Sequence, residues 1–160
     1  MKKSIALGLA LAATMVGALA TSGSAMAVVP VVPPVIHNGN VCEAYSGPSA
    51  ANFYHQEDGF YNYGAFADTA TCPLIITHTP GKLTGSVSLT YNTSSFFDCY
   101  LNTRRGNGNF WASVQKFTPI LGAGTITWNN VPVAATSNYN VTCNLPAFGN
   151  GHIVSVISSF

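Results

Sequence analysis

The chain has 160 residues, of which 48% are hydrophobic and only 7% are charged, and its formal net charge is +1. So few charges exclude the clustered Lys and Arg side chains that bind nucleic acid or anionic lipid. They also exclude an intrinsically disordered chain, because disordered segments are rich in charge and poor in apolar residues. The composition is that of a globular protein with no nucleic-acid partner.

The first 27 residues contain the three parts of a secretory signal peptide. Lys2 and Lys3 form a positive start, residues 5–20 are uncharged and mostly apolar, and Ala-Met-Ala at 25–27 places small residues before the cleavage point. We therefore predict a signal peptide over 1–27 and a bacterial protein that is periplasmic or secreted. After cleavage, four basic and five acidic residues leave a net charge of −1, and we expect no membrane attachment.

The segment after the predicted cleavage point is rich in proline. Residues 28–36 read Val-Val-Pro-Val-Val-Pro-Pro-Val-Ile, and each proline lacks an amide hydrogen and has a fixed φ. Such a segment forms an extended leader or an edge strand. We predict an extended leader over 28–40 and a single domain over 41–160, which is long enough to bury a core.

Four cysteines lie in the predicted mature protein: Cys42, Cys72, Cys99 and Cys143. In an oxidising compartment an even set predicts two disulfides, for which the sequence alone allows three pairings. We favour Cys42–Cys72 with Cys99–Cys143, because sequential pairs join neighbouring strands. Neither a Cys-x-x-Cys pair nor close Cys/His spacing occurs, so we predict structural disulfides, no metal and no cofactor.

Apolar and polar residues alternate along several segments of the mature chain. Val87, Leu89 and Tyr91 alternate with Ser and Thr, and residues 126–128 and 139–145 repeat the pattern. A period of two indicates antiparallel strands with one packed face, and turns rich in Gly and Asn separate the runs. The sequence therefore predicts an all-β fold, an antiparallel β-sandwich of about eight short strands.

Several short motifs follow one another in a fixed order. After the first cysteine come Gly-Phe-Tyr-Asn at 59–62, Cys-Pro-Leu at 72–74, Cys-Tyr-Leu at 99–101 and Tyr-Asn-Val-Thr-Cys-Asn-Leu-Pro at 139–146. Over residues 41–158 this order resembles small exported bacterial proteins with four cysteines. The resemblance implies a β-sandwich with two disulfides, and it implies no active site.

The mature chain contains no recognisable catalytic motif. It has no Gly-x-Ser-x-Gly sequence. Glu57-Asp58-Gly59 is typical of a hairpin turn, and it fits a paired-carboxylate site or a calcium loop less well. A hydrolase that uses Asp58 or His55 is therefore only the third hypothesis for the function.

Aromatic residues concentrate between Tyr45 and Phe66, a stretch of 22 residues that holds seven of the 18 aromatics in the mature chain. Aromatic rings stack on the apolar faces of sugars, and Asn and Gln amides bond to hydroxyl groups. If Phe60 points inward, strand alternation turns Tyr61 and Tyr63 outward. We predict a ligand-contact strip made of Tyr54, Gln56, Tyr61, Asn62 and Tyr63. The alternative is that these aromatics pack in the core.

Arg104 and Arg105 form the one cluster of positive charge in the mature chain. They precede Gly-Asn-Gly-Asn at 106–109 in a predicted hairpin loop. Adjacent guanidinium groups can hold a carboxylate or a phosphate of a partner. The alternative is that they only keep the loop soluble.

Taken together, the sequence predicts an exported, monomeric binding module without enzymatic activity. The expected partner is a polysaccharide or another component of the cell envelope, bound at the aromatic strip. The second hypothesis is a structural subunit of a surface layer or fibre, assembled through the leader or through an edge strand.

Overall fold

The structure is a computed structural model that describes residues 33–45, 47–76, 83–104, 110–133 and 138–160. The predicted signal peptide, residues 28–32 of the leader and Arg105 lie outside these ranges. Among the described residues, no helix has the length and apolar character that crossing a membrane requires.

Eleven β-strands account for most of the described chain, and they confirm the predicted all-β class. In chain order they are β1 (Val35–Asn38), β2 (Glu43–Ala44), β3 (Phe53–Gln56), β4 (Gly59–Asn62), β5 (Asp68–Leu74), β6 (Thr84–Thr93), β7 (Asp98–Arg104), β8 (Phe110–Phe117), β9 (Gly122–Pro132), β10 (Asn138–Leu145) and β11 (Gly151–Ser159). Two 3-10 segments, Gly39–Val41 and Gly47–Asn52, lie between the first strands. The predicted number of about eight strands is too low because β1 to β4 have only two to four residues each, too few to show a period of two.

The strands form two antiparallel sheets that pack as a sandwich. The first sheet has the order β3-β4-β11-β6-β9, and β1 pairs with β11 as a sixth strand. The second sheet has the order β2-β5-β10-β7-β8. Most consecutive strands lie in different sheets, so neither sheet forms from one continuous segment of the chain.

The core lies between the inner faces of the two sheets. On β6, Val87, Leu89 and Tyr91 are buried, whereas Ser and Thr at the intervening positions are partly exposed. Strand β10 repeats this pattern. These are the alternations from which the strands are predicted, and they arise because one face of each sheet packs while the other faces solvent.

Strand β11 pairs with three strands of the first sheet. One edge pairs with β6, and the other edge pairs first with β4 and then with β1. Where β11 changes partner, its register with β6 shifts between Ile153 and Ser155, which is a β-bulge. Gly39 and Gly59 lie against this bulge, and a Cβ atom on either residue would come within 3.0 Å of the Ile153 carbonyl oxygen. Glycine at both positions therefore lets β4 and the segment after β1 approach β11 closely.

Residues 35–38 of the predicted leader form strand β1. They pair with Ser155 to Ser158 of β11, and His37 is buried. Of the two forms expected for the leader, this part adopts the strand. The sandwich therefore includes residues of the predicted leader.

Both disulfides lie on the buried side of the second sheet. Cys99 of β7 is bonded to Cys143 of β10, and the two residues are directly opposed in the register of these strands. Cys42 is bonded to Cys72 of β5, next to the opposed pair Glu43 and Thr71. These are the pairs favoured from the sequence: one joins the neighbouring strands β7 and β10, and the other joins the residue before β2 to β5.

We expect the Cys99→Ala/Cys143→Ala variant to lose about 2–5 kcal/mol of unfolding free energy, because the unfolded chain regains the freedom that the cross-link removed. Urea titration of the variant and of the oxidised parent measures the loss. The matched variant Cys42→Ala/Cys72→Ala should lose slightly less, because its bonded residues are 30 apart in the chain rather than 44. Unchanged stability in both variants would contradict a structural role for the disulfides.

Candidate functional site

The predicted contact strip lies on a hairpin at the edge of the first sheet. Strands β3 and β4 pair with Tyr54 opposite Tyr61 and His55 opposite Phe60, and Glu57 and Asp58 form the turn between them. The turn predicted from Glu-Asp-Gly is therefore confirmed. Because side chains alternate across a strand, the register puts Tyr54, Gln56 and Tyr61 on one face of the hairpin and Phe60 on the other.

Phe60 belongs to the inner face. Its ring stacks on Phe53, with the ring centroids 5.1 Å apart, and both residues are buried. Phe60 also contacts the ring of His55, at 4.6 Å between centroids. Part of the aromatic cluster therefore packs in the core, which was the alternative to the contact strip.

Tyr61 lies on the outer face, as expected, but it is not exposed. Its ring is stacked between His152 of β11, at 4.1 Å, and Tyr63, at 5.6 Å, which leaves the residue only 8% exposed. Its hydroxyl donates a hydrogen bond of 2.6 Å to Asp58 Oδ2. Neighbouring side chains therefore cover most of the ring and hold its hydroxyl, so Tyr61 is not the outward, exposed residue expected for the contact strip.

Asn62 is fully buried, and this corrects its place in the contact strip. Its Nδ2 donates to the carbonyl oxygens of Phe66, at 2.9 Å, and Leu145, at 3.2 Å. Its Oδ1 accepts a hydrogen bond from the Gly64 amide at 2.9 Å. Asn62 therefore holds the chain reversal after β4 against the end of β10, and its amide is not available to a ligand.

The remaining residues of the strip, Tyr54, Gln56 and Tyr63, form an exposed group that we call the tyrosine surface. Tyr54 is 52% exposed and Tyr63 is 43% exposed. Their rings meet edge to face, with centroids 5.7 Å apart, and Gln56 Nε2 donates to the Tyr63 hydroxyl at 2.9 Å. Two rings and an amide are thus held in a fixed relation to one another.

A depression of about 340 Å³ adjoins the tyrosine surface on the outer face of the first sheet. Its lining is polar and comes from three separate parts of the chain, namely Asp58, Tyr61, Asn92, Thr93, Ser94, Gly149, Asn150 and His152. Asn92 and His152 are opposed residues of β6 and β11. Asp58 and Tyr61 are candidates from the sequence, but no local pattern distinguishes the other lining residues, and only the pairing of β11 with β4 and β6 brings them together.

Asp58 and His152 are the ionisable groups beside Tyr61. Asp58 Oδ2 lies 4.0 Å from His152 Nε2. The hydrogen bond from Tyr61 is the main cause that lowers the pKa of Asp58. Burial lowers the pKa of His152, and the charge of Asp58 opposes this effect only in part. At neutral pH the pair is therefore a carboxylate beside a neutral imidazole.

The described residues contain no group of three or more His, Cys, Asp or Glu side chains that could hold a metal ion. His55 contacts the ring of Phe60, and Asp58 accepts a hydrogen bond from the Tyr61 hydroxyl.

No protein-family model and no curated protein matches the chain, but several solved structures do. The CBM36-1 domain of a multidomain xylanase from the hindgut metagenome of Trinervitermes trinervoides is 12% identical, with a TM-score of 0.50, and the match covers 80% of this chain and 98% of that one. TmCBM61 in complex with β-1,4-galactotriose is 12% identical, with a TM-score of 0.45 and coverage of 81% and 90%. The xylan-binding module CBM15 is 12% identical, with a TM-score of 0.45 and coverage of 80% and 97%. The likeness to the first of these supports the β-sandwich fold and says nothing of the site.

We expect the stability of the protein to fall as the pH drops below the usual histidine pKa of 6.5. Because the pKa of His152 is lowered in the folded state, the unfolded chain takes up a proton first, and acid favours unfolding. The measurement is the melting temperature between pH 7.5 and pH 5 for the parent and for His152→Phe, which keeps a ring against Tyr61. The variant should show the smaller decrease, and an equal decrease in both would contradict this role of His152.

We expect Asn62→Ala to lower the free energy of unfolding by about 2–4 kcal/mol, because it leaves buried backbone groups without their partners. Chemical denaturation measures the loss. Asn92→Ala is the matched control, since Asn92 is an exposed asparagine of the same sheet, and it should change stability by less than about 0.5 kcal/mol. Equal effects of the two substitutions would show that Asn62 has no special structural role.

Proposed function

We propose that the protein is a non-enzymatic module that binds polysaccharide through the tyrosine surface. The observation that carries the proposal is the exposed group of Tyr54, Gln56 and Tyr63, in which two rings and an amide are fixed by mutual contacts. Tyrosine rings offer apolar area to the C–H faces of sugars, and the amide bonds to sugar hydroxyls.

The support beneath the rings adds to the argument. Tyr63 stacks on Tyr61, which in turn stacks on His152 of β11, so the exposed ring rests on a column of buried rings. Tyr63 also lies against Gly149, whose φ is +70° and where a Cβ atom would meet the ring at 2.7 Å. A ring already held in place loses little conformational freedom on binding, which favours affinity.

The adjoining depression extends the surface with groups that suit hydroxyl ligands. Asn92, Ser94 and Asn150 line it, and amides and hydroxyls both donate and accept hydrogen bonds. A glycan chain that stacks on Tyr63 would have neighbouring residues within reach of these groups. The structural neighbours named above include a complex with galactotriose and a xylan-binding module, which makes β-1,4-galactan and xylan sensible first probes.

The proposal places the protein outside the cytoplasm. The two disulfides are typical of oxidising compartments, and the first 27 residues have the pattern of a signal peptide. We include two further points in the proposal. The protein is periplasmic or secreted in a bacterium, and it is related to the exported four-cysteine proteins that its sequence resembles.

The assembly hypothesis receives less support from the described residues. Residues 35–38, which belong to the leader that would be donated to a neighbour, pair with β11 of the same chain. Donation of this part would require the sheet to open. Polysaccharide binding by a monomer is therefore the function that we put forward.

We expect the oxidised protein to be retained by at least one insoluble polysaccharide in a panel of xylan, β-1,4-galactan, cellulose and peptidoglycan. The Tyr54→Ala/Tyr63→Ala variant should bind about tenfold or more weakly, because two stacking contacts are lost. A depletion assay over a range of polysaccharide concentrations measures both affinities.

The matched control is Phe66→Ala, which removes an aromatic side chain that is 83% exposed and lies outside the tyrosine surface. It should bind as the parent does. If the folded parent binds none of the panel, or if the tyrosine variant and the control bind equally well, the tyrosine surface is not the binding site.

A further inference from the structure

Four loops lie side by side across one end of the sandwich. They connect β4 to β5, β10 to β11, β6 to β7 and β8 to β9, and each crosses from one sheet to the other. The strand orders place the loops in that sequence across the end of the sandwich. In the same order, the loops are residues 63–67, 146–150, 94–97 and 118–121.

Each of these loops exposes at least one large apolar side chain. Five such residues are between 50% and 83% exposed, and we call them the apolar tip: Phe66, Phe96, Ile120, Leu121 and Phe148. Single exposed apolar residues are common on protein surfaces, whereas several at one place mark a surface that meets an apolar partner. The apolar tip is therefore a candidate interaction surface.

None of the residues in the four loops is charged. A charged side chain is costly to bring into the apolar part of a membrane, so a surface without charge can enter it at lower cost. The expectation of no membrane attachment rests on the small number of Lys and Arg residues, which bind anionic lipid. An apolar surface binds lipid through its buried apolar area and does not need them.

Backbone hydrogen bonds join each loop to the next. Three of them span the row of loops, with distances of 2.7 to 3.0 Å, and they run from the amides of Phe148, Ser94 and Thr118 to the carbonyl oxygens of Gly64, Asn150 and Phe97 respectively. Lipid tails offer no hydrogen bonds, so backbone groups can enter lipid only where they have partners within the protein. The bonds between the loops meet part of this requirement.

Phe148 has a backbone conformation that is unusual for its residue type. Its φ is +58°, in the left-handed region that glycine and asparagine adopt more readily than a bulky residue does. The strain is held by the hydrogen bond from its own amide to Gly64, and the side chain remains exposed. A strained residue whose ring packs on little of the protein indicates that the ring is needed for a contact outside it.

We propose that the apolar tip inserts into the interfacial region of a lipid bilayer whose surface is electrically neutral. A polysaccharide is a poorer match, because Ile120 and Leu121 have no ring that can stack on a sugar. A second protein would need a concave surface shaped to four loops, whereas a fluid bilayer adapts to them. The inference does not rest on the proposed polysaccharide binding, since no residue of the apolar tip belongs to the tyrosine surface.

The test is flotation with phosphatidylcholine vesicles. It uses the oxidised protein that starts at Val28, because the apolar segment before this residue would itself bind lipid. We expect the protein to float with the vesicles, equally well at low and at high salt, since no charge is involved. Adding phosphatidylglycerol to the vesicles should not strengthen binding.

Two sets of substitutions remove the apolar tip without touching the core. Phe96→Ser/Phe148→Asn should weaken vesicle binding by about tenfold or more for each ring lost, and asparagine tolerates the positive φ at 148. Leu121→Ser tests a third loop and should also weaken binding. Circular dichroism and melting temperature show that each variant is folded.

The matched control is Ile75→Ser. Ile75 is an exposed apolar residue that follows the last residue of β5, at the opposite end of the sandwich. This variant should bind vesicles as the parent does. Equal losses in the control and in the tip variants would show that binding follows total apolar surface and not the apolar tip.

A fluorescent reporter distinguishes insertion from contact at the surface. Tryptophan emission in Phe96→Trp should shift to shorter wavelength with vesicles and should be quenched by brominated lipid. Ile75→Trp should show neither change, and the parent gives the background from its two native tryptophans.

Three further outcomes would overturn the proposal. The first is that the folded parent does not float with phosphatidylcholine vesicles, and the second is that it binds only anionic vesicles and is released by salt. The third is a concentration-dependent dimer that the tip variants abolish while the parent binds no lipid, which would assign the apolar tip to a second copy of the chain. Polysaccharide retention is measured without vesicles, so the two proposals can fail independently.

Discussion

The pairing of β11 with three other strands is the constraint on which the first sheet depends. One edge of this strand pairs with both β4 and β1, and the change of partner occurs at the bulge near Ile153. Gly39 and Gly59 allow both chains to approach that point. The same pairing sets His152 opposite Tyr61, so a backbone requirement of the sheet determines which rings support the candidate site.

The elements of this fold that can be predicted from the sequence are those with a local alternation of apolar and polar residues. Strands β6 and β10 were recognised because each has one buried and one solvent-facing side, and the disulfide pairs follow from neighbouring strands. The same alternation assigned Phe60 and Tyr61 to opposite faces. Alternation gives the face of a side chain and not its exposure, however, and the partner that covers Tyr61 lies about 90 residues further along the chain. Asn62 was misassigned for a related reason, since its amide satisfies backbone groups of two distant segments.

The small number of charged residues limits the ways in which the outer faces of the sheets can bind a ligand. With 7% charged residues, the outer faces of both sheets are built mainly from Tyr, Asn, Ser and Thr. These side chains bind through stacking and neutral hydrogen bonds, which are weak one at a time and depend on correct placement. The contacts among Tyr54, Gln56 and Tyr63 provide that placement.

The pairing of β1 with β11 also has a consequence for the route by which the protein folds. Val35 and Ser158 are opposed residues in the sheet, although about 120 residues separate them in the chain, and such high contact order slows folding. The first sheet can close only after its last strand is present. A chain that emerges from a ribosome therefore cannot complete this sheet until its final segment is free.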